Sequence, residues 1–298
     1  MRTINFKSEK TVDLSSIRDL FGVSDDWELR AWPISYNESI SFIFSKREDG
    51  DVIDNGGNQD YRHKIVTVSN FDFSLTQTKD VTLHGACLVN IFFWENGYAY
   101  AVRDENDICS VIFYDKNENE MSKINLGPNV CRMMVAKDGR VAFGYIGTFP
   151  NNLPCFAILS PDGKTLYKCN EDSARACMDL TVDKKDSIWA SCYPDVQVYE
   201  INTDNVVIPH KYPVASPDTL IPFDLNGKMA TILSYSNDEV YVPINYLYVD
   251  GKLVEIRFDD LDPHDVESIS AYGGLVVLLT KDQRLRFFKL DEISKVLE

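Results

Sequence analysis

A pattern of two alternating strands joined by a polar turn returns six times along this 298-residue chain. It is clearest in VCRMMVAKDGRVAFGY (130–145) and CMDLTVDKKDSIWASC (177–192). It recurs at 90–103, 220–235 and 267–280, and in a more degenerate form at 29–45. Several turns contain Asn-Gly or Gly-Gly, which supply the positive φ of a tight hairpin. Short strands that repeat every 40–50 residues or so constrain the fold more than any other feature.

The number of strands in each copy predicts how the repeat closes. A third strand follows every copy, and a fourth follows the first five. The sixth copy ends at Leu290 with three strands, whereas the chain begins with RTINFKSEKTV, a lone alternating strand. We therefore predict an all-β, six-bladed β-propeller with four-stranded antiparallel blades, the last of them closed by residues 2–12. A sandwich or a pair of unrelated β domains is the alternative, and neither accounts for the strand at the opposite end.

The prediction is a single propeller domain spanning residues 1–298. Its blades occupy about 27–82, 83–127, 128–172, 173–213, 214–260, and 261–292 plus 2–12.

Composition restricts the partners and the compartment. The chain has 46 acidic and 30 basic residues, and its net charge of −16 repels nucleic acid and anionic membranes. The same charge either steers a basic partner or simply keeps the protein in solution. No apolar run could span a bilayer, and the first ten residues lack a signal-peptide stretch. Seven cysteines without a C-x-x-C motif are typical of buried thiols in a reducing compartment. We expect a cytoplasmic monomer.

Two kinds of loop, those from the second to the third strand and those between blades, share one face of a propeller, which is usually the binding face. One of the second-to-third-strand loops, REDGDVIDNGGNQD (47–60), is about ten residues longer than its shortest equivalents and carries Asp49, Asp51 and Asp54. Its carboxylate spacing differs from that of an EF-hand calcium loop, which has Gly at the sixth position and Glu at the twelfth. A solvated loop, an arm that contacts a partner, and a calcium site all remain open.

Aromatic side chains accompany the acidic ones in these loops. Phe149, Tyr212, Tyr235 and Tyr241 are difficult to assign to a core from the sequence. Aromatic residues ringed by carboxylates are typical of a surface that contacts another protein. The alternative is that these residues cap the rim of the propeller itself.

The innermost strands predict a polar ring at the mouth of the central channel. Alignment on the turns places Asn90, Arg132, Asp179 and Glu267 at equivalent positions, together with Ala31 and Leu220, and Glu28 and Arg30 lie just before that position. A charged group facing a narrow channel must be solvated or paired. The ring therefore forms either internal ion pairs or a binding site.

Two resemblances bear on function. The segment VAKDGRVAF resembles the core of NHL-type propeller repeats, in which Val-x-x-Asp-Gly precedes an aliphatic strand. In residue type and position, Glu28, Asn90 and Asp179 resemble the metal ligands of gluconolactonase-like propellers, which implies one divalent cation, calcium or zinc. The Glu-Gly-Pro of that family is replaced here by Trp-Glu-Leu.

We predict a non-catalytic propeller whose acidic loop face binds a basic protein or peptide, in the manner of an inhibitor or immunity protein, without a cofactor. The alternative is a metal-dependent hydrolase or lactonase with its site at the channel mouth.

Overall fold

The computed structural model describes twelve stretches of the chain, which together hold most of the predicted strands. They are residues 3–34, 39–47, 61–69, 75–145, 154–169, 176–193, 197–212, 219–225, 228–236, 243–259, 261–272 and 275–290. These residues form six four-stranded antiparallel sheets arranged as a six-bladed β-propeller, which confirms the predicted fold.

The elements follow one another in the order that the repeat predicts. The chain begins with strands β1 (Thr3–Phe6) and β2 (Lys10–Asp13) and helix α1 (Leu14–Phe21). Blade 1 contains β3 (Glu28–Ala31), β4 (Ile40–Arg47), β5 (Tyr61–Val68) and β6 (Leu75–Leu83). Blade 2 contains β7 (Ala86–Trp94), β8 (Gly97–Asp104), β9 (Ile108–Asp115) and β10 (Glu120–Pro128). Blade 3 contains β11 (Val130–Val135), β12 (Val141–Tyr145), β13 (Phe156–Leu159) and β14 (Thr165–Lys168). Blade 4 contains β15 (Ala176–Val182), β16 (Ile188–Tyr193), β17 (Gln197–Ile201) and β18 (Val207–Lys211). Blade 5 contains β19 (Thr219–Leu225), β20 (Lys228–Ser236), β21 (Pro243–Val249) and β22 (Lys252–Phe258). Blade 6 contains β23 (Val266–Tyr272), β24 (Leu275–Thr280) and β25 (Arg284–Lys289), and a short 3-10 helix (Pro263–Asp265) precedes it.

The N-terminal segment closes the last blade, although with fewer residues than predicted. Strand β2 pairs antiparallel with β25 and supplies the missing fourth strand. Strand β1 instead pairs in parallel with β22, at the edge of blade 5. The single strand predicted over residues 2–12 is therefore wrong, because the segment divides to cover two exposed edges. The backbone N–H of Ser8 donates to Asp259 Oδ1 at 2.6 Å, and this bond fixes the crossing between the two blades.

Many hairpin turns share one geometry, which depends on the side chain of their first residue. At Asp104, Asp115, Asp183 and Asn202, a side-chain oxygen accepts the backbone N–H groups of the second and fourth residues further on, at 2.8–3.0 Å. The third residue further on has φ between 61° and 68° in each case. A short polar side chain thus holds the turn in a conformation that L-residues rarely adopt.

Gly139, in the Lys-Asp-Gly turn, has φ +87°. Gly97 has an ordinary φ and begins β8, where a Cβ would overlap the carbonyl oxygen of Tyr114. The prediction for Gly97 is therefore wrong about backbone conformation, because this glycine is needed for close packing.

The contacts group the chain into two compact units, each with its own apolar core. The first unit comprises Met1–Ser16, Gly144–Ala157 and Tyr167–Glu298, and the second comprises Ile17–Phe143 and Ile158–Leu166. In the first unit, blades 5 and 6 enclose a cluster around Phe223, Leu278 and Phe288. In the second, blades 1 and 2 enclose a cluster around Ile43 and Ile91. The single domain over residues 1–298 stays a prediction.

Asp183 provides the first test, because it is 2% exposed and its carboxylate also accepts the indole N–H of Trp189 at 2.9 Å. We expect Asp183→Ala to lower the free energy of unfolding by about 2–4 kcal/mol, since it leaves buried N–H groups without an acceptor. Asp183→Asn, which keeps one acceptor oxygen, should lose less. Asp204→Ala, an exposed change in the next turn of the same blade, should stay within about 0.5 kcal/mol. Urea unfolding measures all three, and equal losses for Asp183→Ala and Asp204→Ala would contradict the role of the turn.

Candidate functional site

A β-bulge fixes which residues of the innermost strands are equivalent. In blades 1, 2, 4 and 6, the ladder between the first and second strands skips one residue of the first strand. A bulge re-aims the side chains around it, and bulges are frequent at functional positions. The skipped residues are Arg30, Val89, Met178 and Glu267, and the residues that follow them are Ala31, Asn90, Asp179 and Ser268.

The bulge confirms part of the predicted register and corrects the rest. Ala31, Asn90 and Asp179 are equivalent, as predicted. Glu267 is wrong by one position, because it is itself the bulged residue and Ser268 takes the place assigned to it. A bulge adds one residue without changing the hydrophobic alternation beside it, so counting from the turn could not detect it.

In the second unit, the polar residues of the innermost strands already have local partners. Arg30 Nη2 lies 2.7 Å from Glu28 Oε2, and both side chains are exposed. Asn90 Oδ1 accepts the N–H of Ile91 at 2.9 Å. Arg132 is exposed, and its Nη1 donates to the carbonyl oxygen of Cys131 at 3.2 Å. Glu28 and Arg30 thus neutralise each other locally.

In the first unit, Asp179 connects two neighbouring blades. Its Oδ2 accepts the backbone N–H of Leu220 at 2.8 Å, which joins β15 of blade 4 to β19 of blade 5. Glu267 is exposed and accepts a hydrogen bond from Gln283 Nε2 at 3.3 Å. One oxygen of Asp179 is thus committed to the packing of blades, a role that residue type and spacing alone could not reveal.

His63 is buried on the third strand of blade 1, β5. The N–H of Leu88 donates to His63 Nε2 at 3.1 Å, so the ring proton lies on Nδ1, which donates to Ser45 Oγ at 2.7 Å. This tautomer cannot remove a proton from Ser45, so the pair is not an activated nucleophile. Burial, followed by the nearby charge of Arg30, lowers the pKa of His63 from its ordinary 6.5 to about 4. A neutral imidazole therefore connects blade 1 to blade 2.

A small groove, with a cavity volume of about 10 Å³, opens between the outer strands of blade 1 and the inner strands of blade 2. Lys79 Nζ donates to Tyr98 Oη at 2.7 Å and to Glu118 Oε1 at 3.0 Å, and it lies 4.6 Å from the centre of the Tyr98 ring. Burial opposes the charge of Lys79, but the hydrogen bonds to Tyr98 and Glu118 raise its pKa above the ordinary value. No sequence pattern indicates this cluster, because its members are distant along the chain. The ammonium group of Lys79 already has internal partners, and its bond to Tyr98 links β6 to β8.

The loop aromatics divide into buried, exposed and undescribed residues. Tyr212 is 4% exposed, and its hydroxyl lies 3.1 Å from Thr231 Oγ1 in the core between blades 4 and 5. Its assignment to a binding surface is therefore wrong, because its ring packs edge-on against Tyr248 instead of facing solvent. Tyr193, which the sequence analysis missed, is 55% exposed at the end of β16.

Several predicted site residues lie outside what can be described. Asp49, Asp51, Asp54, Phe149 and Tyr241 fall outside the described residues, and Tyr235 is described only as part of strand β20. Their assignment to a loop face stays a prediction.

An acidic rim borders blade 6 in the first unit, formed by Asp262, Asp265, Glu267 and Asp282, all exposed. The Lys281 N–H donates to the carbonyl oxygen of Asp265 at 2.8 Å, which holds the two loops of the rim side by side. Asp282 lies 3.4 Å from Arg284, so one of the four carboxylates has a close cation. This acidic rim follows the second strand and precedes the first strand of its blade, as the predicted binding loops do.

Comparison with solved structures supports the fold. Virginiamycin B lyase from Staphylococcus aureus matches with a TM-score of 0.53 and 10% identity, over 94% of this chain and 98% of its own. Hydrazine synthase from Kuenenia stuttgartiensis matches with a TM-score of 0.54 and 13% identity, over 92% of this chain and 80% of its own. A β-propeller domain from Myceliophteria thermophila matches with a TM-score of 0.50 and 10% identity, over 95% of this chain and 98% of its own. At such identities the likeness extends to the fold alone. No protein-family model and no curated protein matches the chain.

Two searches of the described residues bear on metal and membrane binding. Among those residues, no group of three or more His, Cys, Asp or Glu side chains is arranged to hold a metal ion. The one α-helix found in the same part of the chain is too short to cross a bilayer.

The buried imidazole of His63 predicts a specific pH dependence. Below about pH 6.5 the unfolded chain binds a proton at this residue while the folded protein does not, so stability should fall as the pH decreases towards 4. We expect a loss at this residue of about 3 kcal/mol between neutral pH and pH 4. His63→Gln, which can still accept from Leu88, should show a shallower decline, whereas the exposed His264→Gln should match the wild type. Urea unfolding across this range measures the slopes, and parallel curves for wild type and His63→Gln would contradict the prediction.

Proposed function

We propose that this propeller is a non-catalytic binding protein whose acidic loops receive a basic protein or peptide. The observation that carries the proposal is the acidic rim of blade 6, where exposed carboxylates outnumber cations, in a chain with a net charge of −16. An acidic surface raises the encounter rate with a cationic partner and repels nucleic acid.

The first unit also presents the apolar group that such a surface needs. Tyr193 ends the second strand of blade 4, and Asp282 follows the second strand of blade 6, so both occupy the same kind of loop. Tyrosine is frequent among the residues that dominate binding energy, because it buries a large area with few rotatable bonds. In the proposed mechanism, the carboxylates steer the partner and Tyr193 holds it.

The polar groups of the innermost strands support binding over catalysis. Asp179 holds two blades together and Glu28 pairs with Arg30, while His63 on the third strand of blade 1 has its proton on the wrong nitrogen to activate Ser45. We infer from the charge that the partner is a basic enzyme or toxin, which the propeller would inhibit. A cytoplasmic monomer without a cofactor remains our expectation.

A Lys- and Arg-rich fluorescent peptide tests the proposal. We expect it to bind at low salt and to dissociate steeply as salt rises, because exposed charges are screened. The double variant Asp262→Asn and Asp265→Asn should weaken binding about 2- to 10-fold, since each exposed pair contributes about 0.2–1 kcal/mol. The matched control is Asp204→Asn, an exposed carboxylate in a turn between β17 and β18, which should bind as the wild type does. Failure to bind at low salt, or equal loss in the control, would contradict the proposal.

Tyr193 permits a separate test with the same peptide carrying one aromatic residue. Tyr193→Ala should weaken binding about 5-fold or more through faster dissociation, because the lost contact is apolar. Val206→Ala, an equally exposed apolar residue before β18, is the control. A loss confined to the association rate would point to a purely electrostatic surface.

The metal-dependent alternative is tested independently by the metal content of the purified protein. A stoichiometric calcium or zinc ion that Asp179→Asn releases would favour it, as would a rise in melting temperature when either metal is added.

A further inference from the structure

Four of the seven cysteines meet in one buried cluster of the first unit. Cys155, Cys169, Cys177 and Cys192 are each 4% exposed or less. They come from four separate segments, around the start of β13, the end of β14, β15 and β16. All four are thiols in the structure. The sequence analysis treated them as separate apolar side chains, because no two of them lie in a C-x-x-C motif.

The closest pair is Cys155 and Cys192. Their Sγ atoms lie 2.8 Å apart. This is shorter than the separation of about 3.5–4.0 Å that non-bonded heavy atoms prefer, and longer than a disulfide bond of about 2.05 Å. Forming that bond therefore requires the two sulfur atoms to approach by less than about 1 Å.

The surroundings of the pair hold it in place. Gly144 leaves no space for a Cβ beside Cys177, so the backbone of β12 closes the cluster on one side. The N–H of Cys169 donates to the carbonyl oxygen of Phe156 at 3.0 Å, directly after Cys155. Two thiols fixed in contact by packed strands react with each other more readily than two thiols that must first find one another.

The hydrogen bonds within the cluster also shift the pKa values of the two thiols in opposite directions. Hydrogen bonding with Cys177, and then with Cys192, lowers the pKa of the Cys155 thiol to about 5. The bonds with Cys155 and Cys169 raise the pKa of Cys192 above its ordinary value. The thiolate is the reactive form of cysteine, so Cys155 is the sulfur that attacks first.

We propose that Cys155 and Cys192 are an oxidation site that closes to a disulfide between the segment leading into β13 and strand β16. Hydrogen peroxide is the oxidant. The Cys155 thiolate attacks one peroxide oxygen, and with one proton the other oxygen leaves as water, which makes Cys155 a sulfenic acid. The Cys192 sulfur then attacks Cys155, its proton and the sulfenic hydroxyl leave as a second water, and the S–S bond forms.

The bond would join neighbouring blades covalently and close a loop between positions that are 37 residues apart. Crosslinks of this kind stabilise a protein mainly by restricting the unfolded chain. The melting temperature of the oxidised protein should rise by about 5–10 °C.

The test exposes the folded wild-type protein to hydrogen peroxide, unfolds it, and alkylates the remaining thiols before mass spectrometry. We expect two fewer alkylated cysteines than in the untreated protein, and a peptide that links Cys155 to Cys192. Cys131→Ser, which removes a half-buried thiol outside the cluster, should keep the link and the rise in melting temperature.

Cys155→Ser and Cys192→Ala should each abolish both effects. Melting of the untreated variants shows whether each folds, and the linked peptide in the wild type tests the proposal even if neither does. A link to Cys169 or Cys177 would overturn the assignment, as would full alkylation after peroxide. Zinc or copper bound in stoichiometric amount to the untreated protein would also overturn it, since the cluster would then be a thiolate metal site.

Discussion

The register of the hairpins is the constraint on which the rest of this structure depends. A strand that slips by one residue presents its opposite face, so a blade that must bury one set of side chains needs its turns fixed. Here a carboxylate or amide oxygen at the first turn position accepts two backbone N–H groups and holds a non-glycine residue at positive φ. The bulges then re-aim the innermost residues once the turn has set the count. Turn chemistry thus determines which face of its strand each of these side chains occupies.

The fold was predictable because the repeats are regularly spaced and the number of strands in each copy can be counted. Three strands at one end and a lone strand at the other leave few architectures, and the pairing of β2 with β25 confirms the closure. The predicted positions of individual residues were wrong where they depend on contacts with another strand or blade, which the local sequence does not indicate. Glu267 is displaced by a bulge that leaves the alternation intact, and Tyr212 enters a core that is completed by Tyr248 of the next blade. Residues 3–6 pair with β22 because that edge is open, which no local pattern in the N-terminal segment encodes.

Within each unit, polar side chains act as links between blades. His63 and Lys79 connect blade 1 to blade 2, and Asp179 connects blade 4 to blade 5. Arg286 Nη1 lies 3.1 Å from Asp259 Oδ2, which connects blade 6 to blade 5. Adjacent sheets of a propeller share little backbone hydrogen bonding, so apolar packing gives strength while polar links give each sheet one orientation. Residue types that suggest catalysis in the sequence are therefore also the types needed for assembly.

This use of polar groups explains why the rim is the stronger candidate for function. A side chain that bonds to the next blade cannot be released to a ligand without loosening that blade, because the abandoned donor would be left unsatisfied. The carboxylate of Asp265 lies on a loop whose backbone is already paired with the neighbouring loop, so its charge is available without loss of that contact, whereas Asp262 Oδ1 also accepts the N–H of His264 at 2.9 Å. The cysteine cluster also lies where two blades pack, and there the proposed link is covalent. Cys155 and Cys192 meet where blades 3 and 4 pack, and a bond between them would strengthen that contact while leaving the rim of blade 6 unchanged. Stability and recognition can therefore vary separately in this propeller, because they are carried by different atoms.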